Sequence, residues 1–238
     1  MTNRIIHFSK KLTEKNSQIF DNTRRNIVFS LINYIIDSKF RKAVFLTNWL
    51  RSSVNEALAN EDFIKISDGI KLGSNDDETI FNCLKWVINN IKYVGDYIKW
   101  DMNEKWQTPI ETFSSRTGDC EDMHILVYAL ARSKGIIADK MLLWCGNVQS
   151  SPTAPLGGHC SLLYKPLEYP LNFVWLDACY YPNLQPVFNR NLIFLDGKEI
   201  EEFVNNPNNG WLKKDSYYKA SWFVFNESFS SNGYTFKV

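Results

Sequence analysis

Apolar residues in the first half of the chain recur at the three- and four-residue spacing of amphipathic helices. This pattern predicts helices over residues 23–37 and 40–59, and a third that begins in the acidic run 74–78 and reaches residue 91. Residues 60–76 are rich in turn-forming residues and are predicted to be a connector with a short strand over 63–66. The polar residues 1–22 are predicted to be a loosely attached arm.

The pattern changes to extended segments after a helix that is predicted to begin at Cys120 and to end at Gly135. Strands are predicted over residues 139–146, 159–164, 173–178, 187–195 and 219–225. Helices followed by strands indicate an α+β fold in which the Cys120 helix packs on an antiparallel sheet. Residues 96–118 show no periodicity and are predicted to be irregular, with aromatic side chains that either line a cleft or pin the loop to the core.

Composition indicates a sizeable core and no strongly charged partner. The chain has 238 residues, 45% of them hydrophobic, and we predict an N-terminal helical extension over 1–60 and one domain over 61–238. A net charge of +1 gives no reason to expect nucleic acid or an anionic membrane. Because no apolar run could span a bilayer and no signal peptide is recognisable, the predicted location is cytoplasmic. The sequence leaves the oligomeric state open.

The segment RTGDCEDMH, residues 116–124, combines the features of a turn and a helix start. Gly118 permits a tight turn, Asp119 is a good N-cap, and Asp122 is placed to complete a capping box, so Cys120 would be the first helical residue. A thiol in the first turn of a helix is favoured as the thiolate, which is the nucleophile of cysteine enzymes. The alternative is that Cys120 is a small buried apolar residue, the common role of a free cysteine.

Three histidines are candidates for the base that a nucleophilic thiol needs: His7, His124 and His159. His7 lies in the predicted arm. His124 shares a helical face with Cys120 but would leave little room for a substrate, so a packing or capping role is favoured. His159 opens a strand, and the next strand ends at Asp177, a carboxylate that is expected to be paired if it is buried. Asp177 as a turn cap is the alternative.

Three segments, WQTPIETFSSRTGDCEDMHILVYALARSKGI, GGHCSLLY and FVWLDACYYP, resemble the catalytic core of the transglutaminase-like superfamily. They are most similar to bacterial transglutaminase-like cysteine proteinases, which have a papain-like fold. The resemblance spans residues 77–182. It implies that Cys120, His159 and Asp177 form a catalytic triad. Two departures are the missing secretion signal and Cys160 directly after the histidine.

The resemblance implies a cysteine hydrolase that cleaves amide or isopeptide bonds of a protein or peptide through a thioester. Trp106 or Gln107 would join the Cys120 backbone N–H in binding the oxyanion or the substrate. The alternatives are acyl transfer from protein glutamine to an amine, and a non-catalytic module on the same fold. The chemistry itself requires no cofactor.

The acids around Cys120 create an electrostatic conflict. Asp119, Glu121 and Asp122 place negative charge beside a sulfur that must itself ionise, and like charges raise a thiol pKa. Arg116 or a calcium ion held by these carboxylates would offset the charge, as in the similar calcium-dependent proteinases. The alternative is that the acids face solvent and only favour the helix dipole.

Overall fold

The computed structural model describes residues 39–149, 153, 155–167, 172–179, 195–196, 218–231 and 235–237. From Lys39 onward, the described residues belong to one compact unit. The predicted arm over 1–22, the predicted helix over 23–37 and most of the predicted strand over 187–195 lie outside the described residues. Within the described part of the chain, no helix is long and apolar enough to cross a membrane.

Helices occupy most of the described chain up to residue 133. They are α1 (Lys39–Leu58), α2 (Glu61–Gly69), α3 (Asp76–Asn90), α4 (Asp96–Trp100), α5 (Pro109–Ser115) and α6 (Cys120–Ser133), followed by a 3-10 turn at Ala138–Lys140. The helices predicted over 40–59, over 74–91 and from Cys120 are confirmed as α1, α3 and α6. Gly135 adopts a φ of +89° just after α6, the left-handed conformation that ends many helices.

The strand predicted over 63–66 is wrong, because these residues lie inside helix α2. Asn60 is the N-cap of α2, and its side chain accepts a hydrogen bond from the Phe63 N–H at 2.9 Å. The helix also has Glu61 and Asp62 in its first turn, where acids favour the helix dipole. Local capping therefore outweighs the turn-forming composition of the segment.

The prediction that residues 96–118 are irregular is also wrong, because the segment contains α4 and α5. Helix α5 has Pro109 at its start and a capping box between Thr108 and Glu111. Both helices are too short to show a hydrophobic period. The helix signal in this stretch is the cap alone.

The described strands after residue 140 form a seven-stranded antiparallel sheet in the order β6-β5-β4-β3-β7-β8-β9. They are β3 (Met141–Val148), β4 (Gly157–Tyr164), β5 (Asn172–Leu176), β6 (Leu195–Asp196), β7 (Tyr218–Phe225), β8 (Phe229–Ser231) and β9 (Thr235–Lys237). Two further strands, β1 (Lys92–Tyr93) and β2 (Thr117–Gly118), pair in parallel. Helices and an antiparallel sheet confirm the α+β class.

Helix α6 is the centre of the core. Every side chain from Ile125 to Ala131 is fully buried, so this part of the helix has no solvent-facing stripe. The helix packs against α1, α3, α5 and strand β4. Its first residue, Cys120, is therefore held at a fixed place next to the sheet.

Helix α1 packs against α6 and against strands β7 and β8. It buries the side chains of Leu46, Leu50, Val54 and Ala57 in the same core. The domain boundary placed after residue 60 stays a prediction, but α1 contributes directly to the core that supports Cys120.

Candidate active site

Cys120 is the first residue of α6, and the start of that helix is tightly fixed. Asp119 and Asp122 form the predicted capping box, in which Asp122 accepts a hydrogen bond from the Asp119 N–H at 3.3 Å. The chain passes so close to the box at Gly118 that a Cβ there would lie 2.6 Å from the Cβ of Asp122. Only 9% of Cys120 is exposed.

Two polar contacts hold the sulfur of Cys120. Its thiol donates a hydrogen bond to Oε2 of Glu121 at 3.1 Å. The backbone N–H of Cys160 donates to the sulfur at 3.4 Å. Because Cys160 directly follows His159 on β4, the second contact brings the sulfur beside the predicted base.

His159 and Asp177 form a buried pair, in which Nε2 of the ring lies 2.6 Å from Oδ2 of the carboxylate. Strands β4 and β5 are antiparallel neighbours, so the chain that leaves β5 brings Asp177 alongside the start of β4. The other oxygen of Asp177 accepts a hydrogen bond from the Cys179 N–H at 2.8 Å. The carboxylate therefore holds the imidazole and caps the following turn at once.

His124 bridges the start of α6 and the turn after β5. Its Nδ1 lies 2.6 Å from the carbonyl oxygen of Cys120, and its Nε2 accepts a hydrogen bond from the Ala178 N–H at 2.9 Å. A backbone N–H only donates, so the ring proton must be on Nδ1. Burial lowers the pKa of His124 to about 4, which keeps the ring neutral. Both ring nitrogens are engaged, in agreement with a packing role and not with a role as base.

Four acidic side chains, Asp96, Asp119, Glu121 and Asp122, lie around the start of α6 and are called the acidic cluster. One oxygen of Asp119, one of Glu121 and the sulfur of Cys120 lie within 4.8 Å of one another. One oxygen each of Asp96, Asp119 and Asp122 forms a second such group. Oδ1 of Asp119 and Oε1 of Glu121 are buried, and no described residue donates a hydrogen bond to either. These oxygens face the protein interior and not the solvent.

The crowding of acidic side chains opposes ionisation of the Glu121 carboxyl and of the Cys120 thiol. Burial, followed by the neighbouring Asp119, raises the pKa of Glu121 well above its ordinary value. Burial, followed by Glu121, also raises the pKa of the Cys120 thiol. Arg116, one of the two offsets considered from the sequence, lies 5.0 and 4.6 Å from the centroids of two aromatic rings on α3 and α5. Among the described residues, it forms no ion pair with these acids.

Trp106 and Gln107, predicted as oxyanion or substrate-binding residues, direct their side-chain donors elsewhere. The backbone N–H of Gln107 donates to Oδ1 of Asp122 at 2.7 Å, and its side-chain amide donates to the other oxygen of Asp122 and to the Thr117 carbonyl. The indole N–H of Trp106 donates to Glu104 at 2.6 Å. Their predicted role stays a prediction; in this arrangement Gln107 fixes the carboxylate of the capping box.

Asp96 belongs to the acidic cluster, and sequence reasoning missed it. It is the first residue of α4, is 5% exposed and accepts a hydrogen bond from the Lys105 N–H. Burial, followed by the neighbouring Asp119, raises its pKa to about 6. No local pattern connects Asp96 with Asp119, because the two are distant in sequence and meet only in the tertiary structure.

The sequence of this region matches a known family. Residues 61–150 match the family model described as a transglutaminase-like domain. The matched segment includes Cys120 and the acids around it, whereas His159 and Asp177 lie beyond residue 150. Their place in the site therefore rests on the geometry of strands β4 and β5.

The chain also resembles two solved structures of LapG from Legionella pneumophila. The EGTA-treated structure covers 79% of this chain and 89% of its own, with 14% identity and a TM-score of 0.47. The calcium-bound structure covers 70% of this chain and 74% of its own, with 16% identity and a TM-score of 0.44. At these values the likeness assigns no activity or ligand to this chain. A search of the curated proteins finds no significant match.

The bridge through His124 predicts the effect of its replacement on stability. His124→Leu removes the side-chain bond to the Cys120 carbonyl and leaves the Ala178 N–H buried without its acceptor, which should lower the free energy of unfolding by about 1–3 kcal/mol. His124→Gln can still donate and accept, so we expect a smaller loss. Urea unfolding of both variants measures the difference. Equal stability of His124→Leu and the unchanged protein would exclude the bridge.

Proposed function

We propose that this domain is a cysteine hydrolase that cleaves amide bonds in a protein or peptide substrate. The observation that carries the proposal is the meeting of three groups from distant parts of the chain. The Cys120 sulfur at the start of α6 contacts β4 next to His159, and His159 is held by Asp177. This is the set that nucleophilic acyl chemistry requires: a thiol, a base and a group that orients the base.

In the proposed reaction, Nδ1 of His159 takes the proton of the Cys120 thiol, and the sulfur attacks the carbonyl carbon of the substrate. The resulting oxyanion accepts a hydrogen bond from the Cys120 backbone N–H at the positive end of α6. His159 then gives its proton to the departing amine, which leaves a thioester on Cys120. Water adds to the thioester, and the acid is released with the thiol restored.

Asp177 has a separate part in this proposal. Its carboxylate on Nε2 fixes the ring so that Nδ1 is the nitrogen that exchanges protons, and it stabilises the imidazolium once the thiol has ionised. His124 acts only on position, because it ties the Cys120 carbonyl to the turn that carries Asp177.

Replacing each triad member tests the proposal. With a library of fluorescence-quenched peptides, Cys120→Ala should abolish cleavage. His159→Gln and Asp177→Asn should each slow cleavage by about 100- to 10,000-fold, because they remove the base or its orientation. Cys83→Ala is the matched control, since Cys83 is a fully buried thiol on α3 and should leave the rate unchanged.

The same assay separates the alternatives. Cleavage that survives in Cys120→Ala would contradict the proposed nucleophile. Incorporation of a labelled amine in preference to hydrolysis would change the reaction to acyl transfer. Failure to cleave any peptide, together with equal labelling of all five cysteines by a thiol reagent, would favour a non-catalytic module.

We further propose that calcium binds the acidic cluster. Carboxylate oxygens are the ligands that calcium prefers, and the buried Oδ1 of Asp119 and Oε1 of Glu121 lack donors among the described residues. Asp119 belongs to both groups of converging side chains and would hold the ion together with Glu121 on one side or with Asp96 and Asp122 on the other. When bound, it would supply positive charge that offsets the carboxylates beside the Cys120 sulfur.

Thermal unfolding in calcium and in EGTA tests the calcium site independently of activity. Calcium at about 100 times its Kd should add about 2.7 kcal/mol of stability, which is roughly 5–10 °C in Tm for a domain of this size. Asp119→Asn should lose the shift. Asp68→Asn, which changes an exposed acid on α2, should keep it. The same Tm in calcium and in EGTA would contradict the site.

A further inference from the structure

We propose that a cleft beside His159 binds an uncharged, apolar side chain of the substrate, one of the two residues nearest the cleaved bond on its acyl side. The inference rests on the proposed hydrolase function and adds the class of substrate. The cleft has a volume of about 470 Å³. Pockets of a few hundred cubic ångströms are typical of sites that enclose one side chain or a small ligand.

The cleft lies against the proposed catalytic groups on two sides. Met123, one turn after Cys120 on α6, forms one wall, and Gly158 and His159 at the start of β4 form another. Ala178 and Cys179, which directly follow Asp177, complete this side. A side chain in the cleft would therefore belong to a residue close to the bond under attack.

The remaining wall comes from α3 and β1. Ile88 and Ile91 line the cleft near the end of α3, and Tyr93 lines it from β1. Ile91 is 5% exposed and belongs to the core, whereas 55% of Tyr93 is exposed. On this side, the cleft thus has a buried aliphatic side chain at Ile91 and an exposed aromatic ring at Tyr93.

The chemistry of this lining sets the preference. No Asp, Glu, Lys or Arg is among the residues that line the described cleft. A charged substrate side chain would lose its water there without gaining an ion pair, which is costly. An aliphatic or aromatic side chain would instead bury its own apolar surface against Ile88 and the exposed ring of Tyr93.

Thiol-alkylating peptide probes test the inference without a known substrate. Acetyl-dipeptidyl chloromethyl ketones with Leu, Phe, Asp or Lys at either the last or the penultimate position react by forming a bond from sulfur to carbon and releasing chloride. The rate of Cys120 labelling is followed by mass spectrometry and divided by the rate of each probe with free cysteine. In at least one of the two series, Leu and Phe probes should react at least tenfold faster than Asp and Lys probes, the order expected of an apolar pocket.

Two variants that place opposite charges at Ile88 test whether the cleft itself binds the side chain of the probe. Ile88 is half-buried, so polar substitutions there should be tolerated. Ile88→Lys should speed labelling by the Asp probe relative to the Lys probe, and Ile88→Glu should do the opposite, each by at least tenfold relative to the unchanged protein.

The outcomes distinguish this inference from the function on which it rests. Selective labelling of Cys120 at rates independent of the probe side chain would overturn the apolar cleft and leave the hydrolase intact. Unchanged side-chain preference in both Ile88 variants would overturn the cleft as the binding site. Failure of every probe to label Cys120 faster than the other cysteines would overturn both.

Discussion

The start of helix α6 is the constraint on which the rest of the site depends. The helix is buried along its middle, so it cannot turn or slide without opening the core. Its first turn is fixed by the capping box between Asp119 and Asp122, and Gln107 in turn holds Asp122 by its backbone and its side chain. Cys120 therefore has one place in the fold, between an acidic cluster and the first residues of strand β4.

This arrangement carries an electrostatic cost. Buried carboxylates that lack donors oppose folding unless they keep a proton or bind a cation. The structure places such groups next to the thiol of Cys120 and gives them no basic partner among the described side chains. A helix start designed only for stability would not need Glu121 facing inward. A function for these acids would explain why the fold tolerates this electrostatic cost. Calcium binding is the function that fits their chemistry.

Much of the architecture follows from local signals in the sequence. Helix α6 was predictable from its cap and from Gly135, and strands β4 and β5 from the change to extended segments between loops rich in Pro and Gly. Helix α2 was missed because the glycines of this segment suggested a connector, although Asn60 is an N-cap. Helix α5 was missed because it has a capping box but is too short to show a hydrophobic period. The caps themselves were readable in both segments.

The residues of the site show the same difference between local sequence signals and tertiary contacts. Cys120, His159 and Asp177 stand next to recognisable helix or strand boundaries, so they could be proposed from sequence. Asp96 meets the cluster only through tertiary packing, and the hydrogen bond from the Ala178 N–H to His124 depends on where the turn after β5 lies. The donors of Gln107 are taken by a residue in the next helix but one, which no short-range pattern encodes.

The proposal that Cys120, His159 and Asp177 act together is best tested by a crystal structure with a peptide aldehyde bound covalently. We expect a hemithioacetal on the Cys120 sulfur, with its oxygen near the Cys120 backbone N–H. We also expect Nδ1 of His159 within about 3–4 Å of the sulfur while Nε2 stays on Asp177. An adduct on another cysteine, or a His159 ring turned away from the sulfur, would contradict the proposal.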